Sequence, residues 1–254
     1  MKNNTIVMIH GLLGSLHFFS PQNSLPEMSV YTPDLIGYGS LDNQDNIESL
    51  SLQDQVDFVK RLVAEEIKKP CWLLGHSVGG AIAMMFAAQN HQLVKGIINV
   101  EGNFTLNDAF WSEKISQLPL DVWRLEYQEM RARPEKWLLD AGISPTPERI
   151  VWAEQILNYQ PASTVQAVAK AVVRDTASTE YLQAVERVVE QKSPLYLLAG
   201  ERSKDDWDVP KLIRDTAVQS IVQPQVGHMM MLEEPKAFCE IVRDIVEQKG
   251  RRIL

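Results

Sequence analysis

The sequence predicts an α/β fold: a mostly parallel six-stranded sheet flanked by helices, with a block of helices inserted between two of its strands. Three observations predict it. Six short apolar runs, several of them rich in β-branched residues, are each long enough for a buried strand, at residues 5–9, 29–34, 71–74, 95–100, 194–199 and 218–222. Helical periodicity fills the intervals between several of them, the arrangement of parallel strands with crossovers. From 104 to 191 strand signals vanish, and helical stretches follow one another between Pro119, Pro134, Pro145, Pro147 and Pro161.

Composition bounds the function. At 254 residues the chain can bury one large core or two small ones, and 45% apolar residues is ordinary for a globular protein. A formal net charge of -8 argues against nucleic acid and anionic membrane surfaces as partners. Cys71 and Cys239 sit far apart in apolar contexts and read as reduced core residues of a cytoplasmic protein. No run is long enough to span a membrane, and the apolar stretch near the start is too short for a signal peptide.

The first strand, residues 5–9, runs into His10-Gly11-Leu12-Leu13-Gly14-Ser15. Such a loop brings backbone N–H groups to the top of a sheet, and Leu12 is the candidate for one oxyanion-binding N–H. His10 and Gly11 border the expected substrate site; His10 is read chiefly as a histidine hydrogen-bonded within its own loop. After the second strand, Asp34 followed by Gly37-Tyr38-Gly39-Ser40 predicts a turn-rich loop whose carboxylate bonds backbone N–H groups. Over residues 51–67, Leu52, Val56, Val59, Val63 and Ile67 fall at helical spacing behind a Ser51/Asp54 capping box.

The third strand leads into Gly75-His76-Ser77-Val78-Gly79-Gly80, and residues 81–89 read as a buried helix. Gly-x-Ser-x-Gly between a strand and a helix predicts a strained corner that exposes the Ser77 hydroxyl. Gly75 and Gly79 remove side chains where the two backbones meet, and the Val78 N–H is the second oxyanion candidate. A serine hydroxyl needs a base, and His228, directly after a glycine beyond the last strand, can reach back to the sheet edge. His76 is expected to point away, and His17 and His91 to lie on the surface. The final helix begins near Pro235, with Phe238, Ile241, Val242, Ile245 and Val246 as its buried stripe.

Together these motifs resemble the serine α/β-hydrolases over essentially the whole chain. The resemblance implies an α/β-hydrolase fold with core segments 1–103 and 192–254 and a helical cap at 104–191. The family usually has two more strands at its start; since residue 5 already opens the strand leading to the oxyanion loop, six are expected. The family's usual acid position, three residues after Gly200, holds Ser203 here. Two alternatives remain: Asp205 or Asp206 from a longer loop, or Glu101, whose setting after residues 95–100 resembles the glutamate segment of some haloalkane dehalogenases.

A serine at the elbow implies acyl transfer to water on a carboxylic ester, thioester or lactone, without metal or organic cofactor, and the apolar cap and the methionines after His228 suggest a small or medium apolar part. Trp111, among the tryptophans of the expected cap, and His76 and Met229, beside the base and nucleophile, are the further substrate-binding candidates. The same fold also hosts carbon–carbon bond hydrolases and the lyase of menaquinone synthesis, which carries an arginine where this chain has Ala81. A slow-turnover ligand receptor is the alternative of another class. A monomer or homodimer is expected.

Overall fold

Successive residues of a strand point to opposite faces of its sheet, so a sheet covered on both sides is apolar at every position. The first strand meets that requirement: Ile6 and Met8 join one hydrophobic cluster, Val7 and Ile9 the other, and all four are inaccessible to solvent. The structure, a computed structural model, describes residues 4–42 and 47–248. Its strands are β1 (Asn4–Ile9), β2 (Met28–Tyr31), β3 (Cys71–His76), β4 (Val94–Val100), β5 (Leu195–Gly200) and β6 (Gln219–Gln223). All pairings are parallel, and the order is β2-β1-β3-β4-β5-β6.

The second strand stops at Tyr31, short of the expected residue 34. Pro33 removes a ladder donor and biases its neighbour, which suits a loop rather than a continued edge strand. The helix expected over residues 51–67 forms as α1 (Leu52–Leu62), closed at its start by the reciprocal Ser51/Asp54 capping box. It continues as a π-helical turn over Val63–Ile67 that ends on a left-handed Lys68. α2 (Val78–Gln89) is buried around almost its whole circumference. Both cysteines are buried and free.

Between β4 and β5 lie α3 (Phe110–Gln117), α4 (Leu120–Ala132), α5 (Pro134–Asp140), α6 (Pro147–Leu157), α7 (Ala162–Thr176) and α8 (Thr179–Glu190). The last of these packs on α2 beside the sheet. The tryptophans of this stretch pack rather than stand free. Trp123 is buried and donates its ring N–H to the Ala162 carbonyl at 2.8 Å, while Trp152 meets Phe18 edge-on. On the opposite face, α9 (Pro235–Val246) buries Phe238, Val242, Ile245 and Val246. No helix of the described residues is long and apolar enough to cross a membrane.

The chain leaves β1 for β2 on one side and returns to β3 on the other. The carboxyl ends of β1 and β3 therefore flank the crevice where open α/β sheets bind ligands. The registers Ile9↔Gly75, His76↔Val100 and Val100↔Leu198 bring the loops after β1, β3, β4 and β5 to one rim.

Candidate active site

Ser77 occupies the corner between β3 and α2 with φ 54° and ψ -123°, a region non-glycine residues rarely adopt. Its neighbours make the corner possible. A Cβ on Gly75 would lie 2.2 Å from the Gly79 carbonyl oxygen, and one on Gly79 would lie 2.2 Å from that of Ile9. The loop after β1 presses on the serine itself, since a Cβ on Gly11 would come within 2.9 Å of Ser77 Cβ. The corner is tied to the next strand by the Ser77 N–H, which donates to the Val100 carbonyl at 3.1 Å. Neither the Leu12 N–H nor the Val78 N–H has a hydrogen-bond partner among the described residues.

Glu101, directly after β4, also has positive φ, at 41°. Its side chain is 4% exposed, and Oε2 lies 2.7 Å from His228 Nδ1. The other oxygen, Oε1, accepts from the Gly200 N–H at 2.7 Å and the Ser203 hydroxyl at 2.6 Å. Burial by itself would raise the Glu101 pKa. The hydrogen bond and charge of His228, with the bonds from Ser203 and Gly200, outweigh burial and hold it below the usual value. Ser203, at the family's usual acid position, thus serves as a donor to a carboxylate from the neighbouring strand.

Asp205 and Asp206 are corrected by this arrangement. They lie exposed on the 3-10 turn Lys204–Asp206, and the hydrogen bond at His228 Nδ1 goes to Glu101. Beyond them, Trp207 donates its ring N–H to the Gly102 carbonyl and stacks on Phe104, which ties the loop after β5 to residues 102–104.

His228 is held from behind by residues the sequence did not single out. Glu233, nearly buried, accepts from the Gly227 N–H at 2.7 Å and takes both its oxygens to Arg202 at 2.9 and 2.8 Å. Arg202 in turn donates to the Gln225 carbonyl at 2.6 Å. A glutamate just before Pro235 was the available signal, yet it reads equally well as a solvated helix start. His76, expected to point away, instead donates Nε2–H to the His228 carbonyl at 3.0 Å, with ring centroids 4.7 Å apart. Burial, with the neighbouring His228, holds His76 well below its ordinary pKa, so it is neutral. Ser77 Oγ and His228 Nε2 are not hydrogen-bonded to each other.

His10 is corrected as a substrate-binding residue. It is fully buried, and both ring nitrogens are used: Nδ1–H donates to the Gly11 carbonyl at 2.8 Å and Nε2 accepts from the Leu35 N–H at 3.3 Å. Trp111 and Met229 are half-buried and pack against different hydrophobic clusters. His17 is exposed and bonded to Ser15 Oγ at 2.7 Å, and His91 is exposed. Asp34 accepts from the Ser40 N–H at 3.2 Å and from Tyr159 Oη at 2.6 Å. Among the described residues no group of histidine, cysteine and carboxylate side chains could hold a metal ion.

The buried histidines make a pH prediction. Burial pushes the His10 pKa down to about 4 from 6.5. The unfolded chain therefore binds more protons than the folded one between those values, and stability rises with pH across that window. Acidification from pH 6.5 to 4 is expected to remove up to about 3 kcal/mol through His10, and His76 acts in the same direction. Urea unfolding across that range measures it, and His10→Asn should flatten the dependence.

Comparison with known proteins places this geometry. A model of the alpha/beta hydrolase family matches residues 6–241. The 2-succinyl-6-hydroxy-2,4-cyclohexadiene-1-carboxylate synthase of Serratia proteamaculans is 25% identical over 258 residues, covering 96% of this chain and 94% of that protein. Among solved structures, MenH from S. aureus matches with a TM-score of 0.77 at 18% identity, over 98% of this chain and 96% of that one. A carboxylesterase structure from Nitrososphaera gargenis matches with a TM-score of 0.74 at 19% identity, over 98% and 92%. A six-stranded parallel sheet, a serine on a positive-φ elbow and a family match across most of the length lead to one conclusion: the chain belongs to the alpha/beta hydrolase family.

Proposed function

We propose that this chain is a serine hydrolase that cleaves a small carboxylic ester, thioester or lactone with an apolar part, using Ser77, His228 and Glu101. The observation that carries the reading is the buried Glu101 carboxylate 2.7 Å from His228 Nδ1, on the rim that also holds Ser77. With Nδ1–H donated to Glu101, the lone pair is on Nε2, the tautomer a general base needs.

Ser77 Oγ attacks the acyl carbon as its proton passes to Nε2. The carbonyl π pair moves onto oxygen, which accepts hydrogen bonds from the Leu12 and Val78 N–H groups. The amino end of α2 adds favourable potential at the same place. As the adduct collapses, the bond to the leaving oxygen or sulfur breaks and Nε2–H protonates it. Water then repeats the sequence on the acyl-serine, releasing the acid and restoring the hydroxyl. The Ser77–His228 hydrogen bond forms as the substrate aligns the pair, a common tightening at hydrolytic sites. The insertion from 104 to 191 acts as the cap, although its last helix, α8, packs on the core helix α2.

A second reading is the menaquinone-pathway-like lyase, which the relatives' name as synthases supports through similarity along 96% of this chain. The product in that name carries a carboxylate and a succinyl group. Against it, the elbow helix has Ala81 where that lyase has an arginine, and the buried imidazoles of His10 and His76 are uncharged.

Labelling with a fluorophosphonate probe, beside p-nitrophenyl esters of rising chain length, tests the proposal. Wild type is expected to label and Ser77→Ala to lose both labelling and turnover, by four orders of magnitude or more on the order of a triad deletion. A folded wild type that neither labels nor cleaves any ester, yet forms the relatives' product, would move the assignment to the lyase.

A further inference from the structure

Three consecutive peptide planes of the loop after β1 are each held by one buried side chain, and the three come from different parts of the chain. His10 Nδ1–H donates to the Gly11 carbonyl at 2.8 Å, which holds the Gly11–Leu12 plane. Tyr38 Oη–H donates to the Leu12 carbonyl at 2.9 Å, which holds the Leu12–Leu13 plane. Gln160 Oε1 accepts from the Gly14 N–H at 2.8 Å, which holds the Leu13–Gly14 plane. In a trans peptide the C=O and the following N–H point in opposite directions. A bond to the Gly11 carbonyl therefore turns the Leu12 N–H the other way, and that N–H has no partner among the described residues.

Gln160 is the clamp that comes from the helical insertion, at the turn between α6 and α7. It is 3% exposed, and its own amide is tied down. Nε2 donates to the Ile156 carbonyl at 3.1 Å and to Tyr127 Oη, and Tyr127 in turn donates to the Leu157 carbonyl. The contact is close as well as polar: Gly14 has φ +67°, and a Cβ there would sit 2.9 Å from Ile156 Cγ2. Tyr159 strengthens the same junction through its bond to Asp34 and its edge-on contact with His17. The insertion thus meets the core at the loop that carries the candidate oxyanion donor.

The geometry points to Gln160 as a positioning residue for the oxyanion hole: through the Gly14 clamp the helical insertion anchors the far end of the loop in which His10 aims the Leu12 N–H. The inference rests on the serine-hydrolase reading for its catalytic consequence but not for the clamp itself. A donor aimed at developing negative charge contributes only when held in place beforehand. Loosening the loop should therefore weaken transition-state binding more than ground-state binding.

Gln160→Leu removes the acceptor and both donors at similar size, and Gln160→Glu keeps oxygen acceptors for the Gly14 N–H. In Gln160→Leu, kcat is expected to fall by about 10-fold or more with KM nearly unchanged. Affinity for a trifluoromethyl ketone, which mimics the tetrahedral adduct, should fall in parallel, and Gln160→Glu should recover part of both. Amide hydrogen exchange is read on the same proteins, with melting temperature recorded. Faster exchange at Gly14 in Gln160→Leu, beyond any global change, is expected. Unchanged exchange at that amide would overturn the clamp. Faster exchange with kcat and inhibitor affinity unchanged would overturn its catalytic role. Exchange needs no substrate, so it separates failure of the clamp from a wild type that cleaves no ester.

Discussion

Glu101→Gln is expected to lower kcat by roughly three to four orders of magnitude while Ser77 stays in place. The reason lies in the second oxygen of the carboxylate. Oε1 accepts from the Gly200 N–H, a main-chain donor that cannot turn away, and from Ser203. A glutamine at 101 must keep its carbonyl oxygen there, so its NH2 group faces His228 Nδ1. Two donors then oppose each other, and the imidazole moves its proton to Nε2, the nitrogen that must accept from Ser77. Ser203→Ala removes one donor and leaves the carboxylate, so a fall of about 10-fold is expected. Ser203→Asp in the Glu101→Gln background returns a carboxylate to the neighbourhood and should recover part of the loss. Steady-state kinetics and fluorophosphonate labelling rates on the four proteins, with circular dichroism as a check on folding, measure this. Near-normal turnover in Glu101→Gln would sink the assignment of the acid.

Gly75→Ala is expected to destabilise the fold by more than about 4 kcal/mol, a large part of a typical total of about 5–15 kcal/mol. The added methyl would lie 2.2 Å from the Gly79 carbonyl oxygen, 2.6 Å from its carbon and 2.7 Å from Gly80 Cα. All three are backbone atoms, so no rotamer change relieves the clash. Relief would require β3 and α2 to move apart, and α2 is wedged into the core on nearly every side. Gly142→Ala is the contrasting case. Its φ is +72°, yet a Cβ there meets nothing within 4 Å, so only the backbone term of about 1–2 kcal/mol applies. Thermal melts should show Gly142→Ala a few degrees below wild type. Gly75→Ala should be lower by about 10 °C or more, or insoluble. A Gly75→Ala protein melting within a few degrees of wild type would contradict the packing at the elbow.

The sequence by itself determined the features whose causes are local. Apolar runs of strand length marked the central strands β1, β3, β4 and β5, because a strand buried on both faces needs no polar position, and shorter β-branched runs marked the more exposed edges β2 and β6. Ser51 with Asp54 marked a helix start, because a capping box is closed within four residues. The spacing of Gly75, Ser77 and Gly79 marked the elbow, because backbones that touch leave no room for side chains. Local pattern left choices open, as between Glu101 and Asp205 or Asp206, where the partner of a polar group lies far away in the chain. Glu101 and His228 are 127 residues apart, and Gly14 and Gln160 are 146 apart. Counting from Gly200 could not reveal that Ser203 donates its hydroxyl to the Glu101 carboxylate. His10 bonds within its own loop, as its sequence setting predicts, whereas nothing local could reveal that His76 turns its Nε2–H to the His228 carbonyl. Hydrophobic period and turn chemistry record what a residue's neighbours in sequence require. The partner of a buried polar group is chosen only when the sheet has assembled and each buried donor and acceptor must find its match.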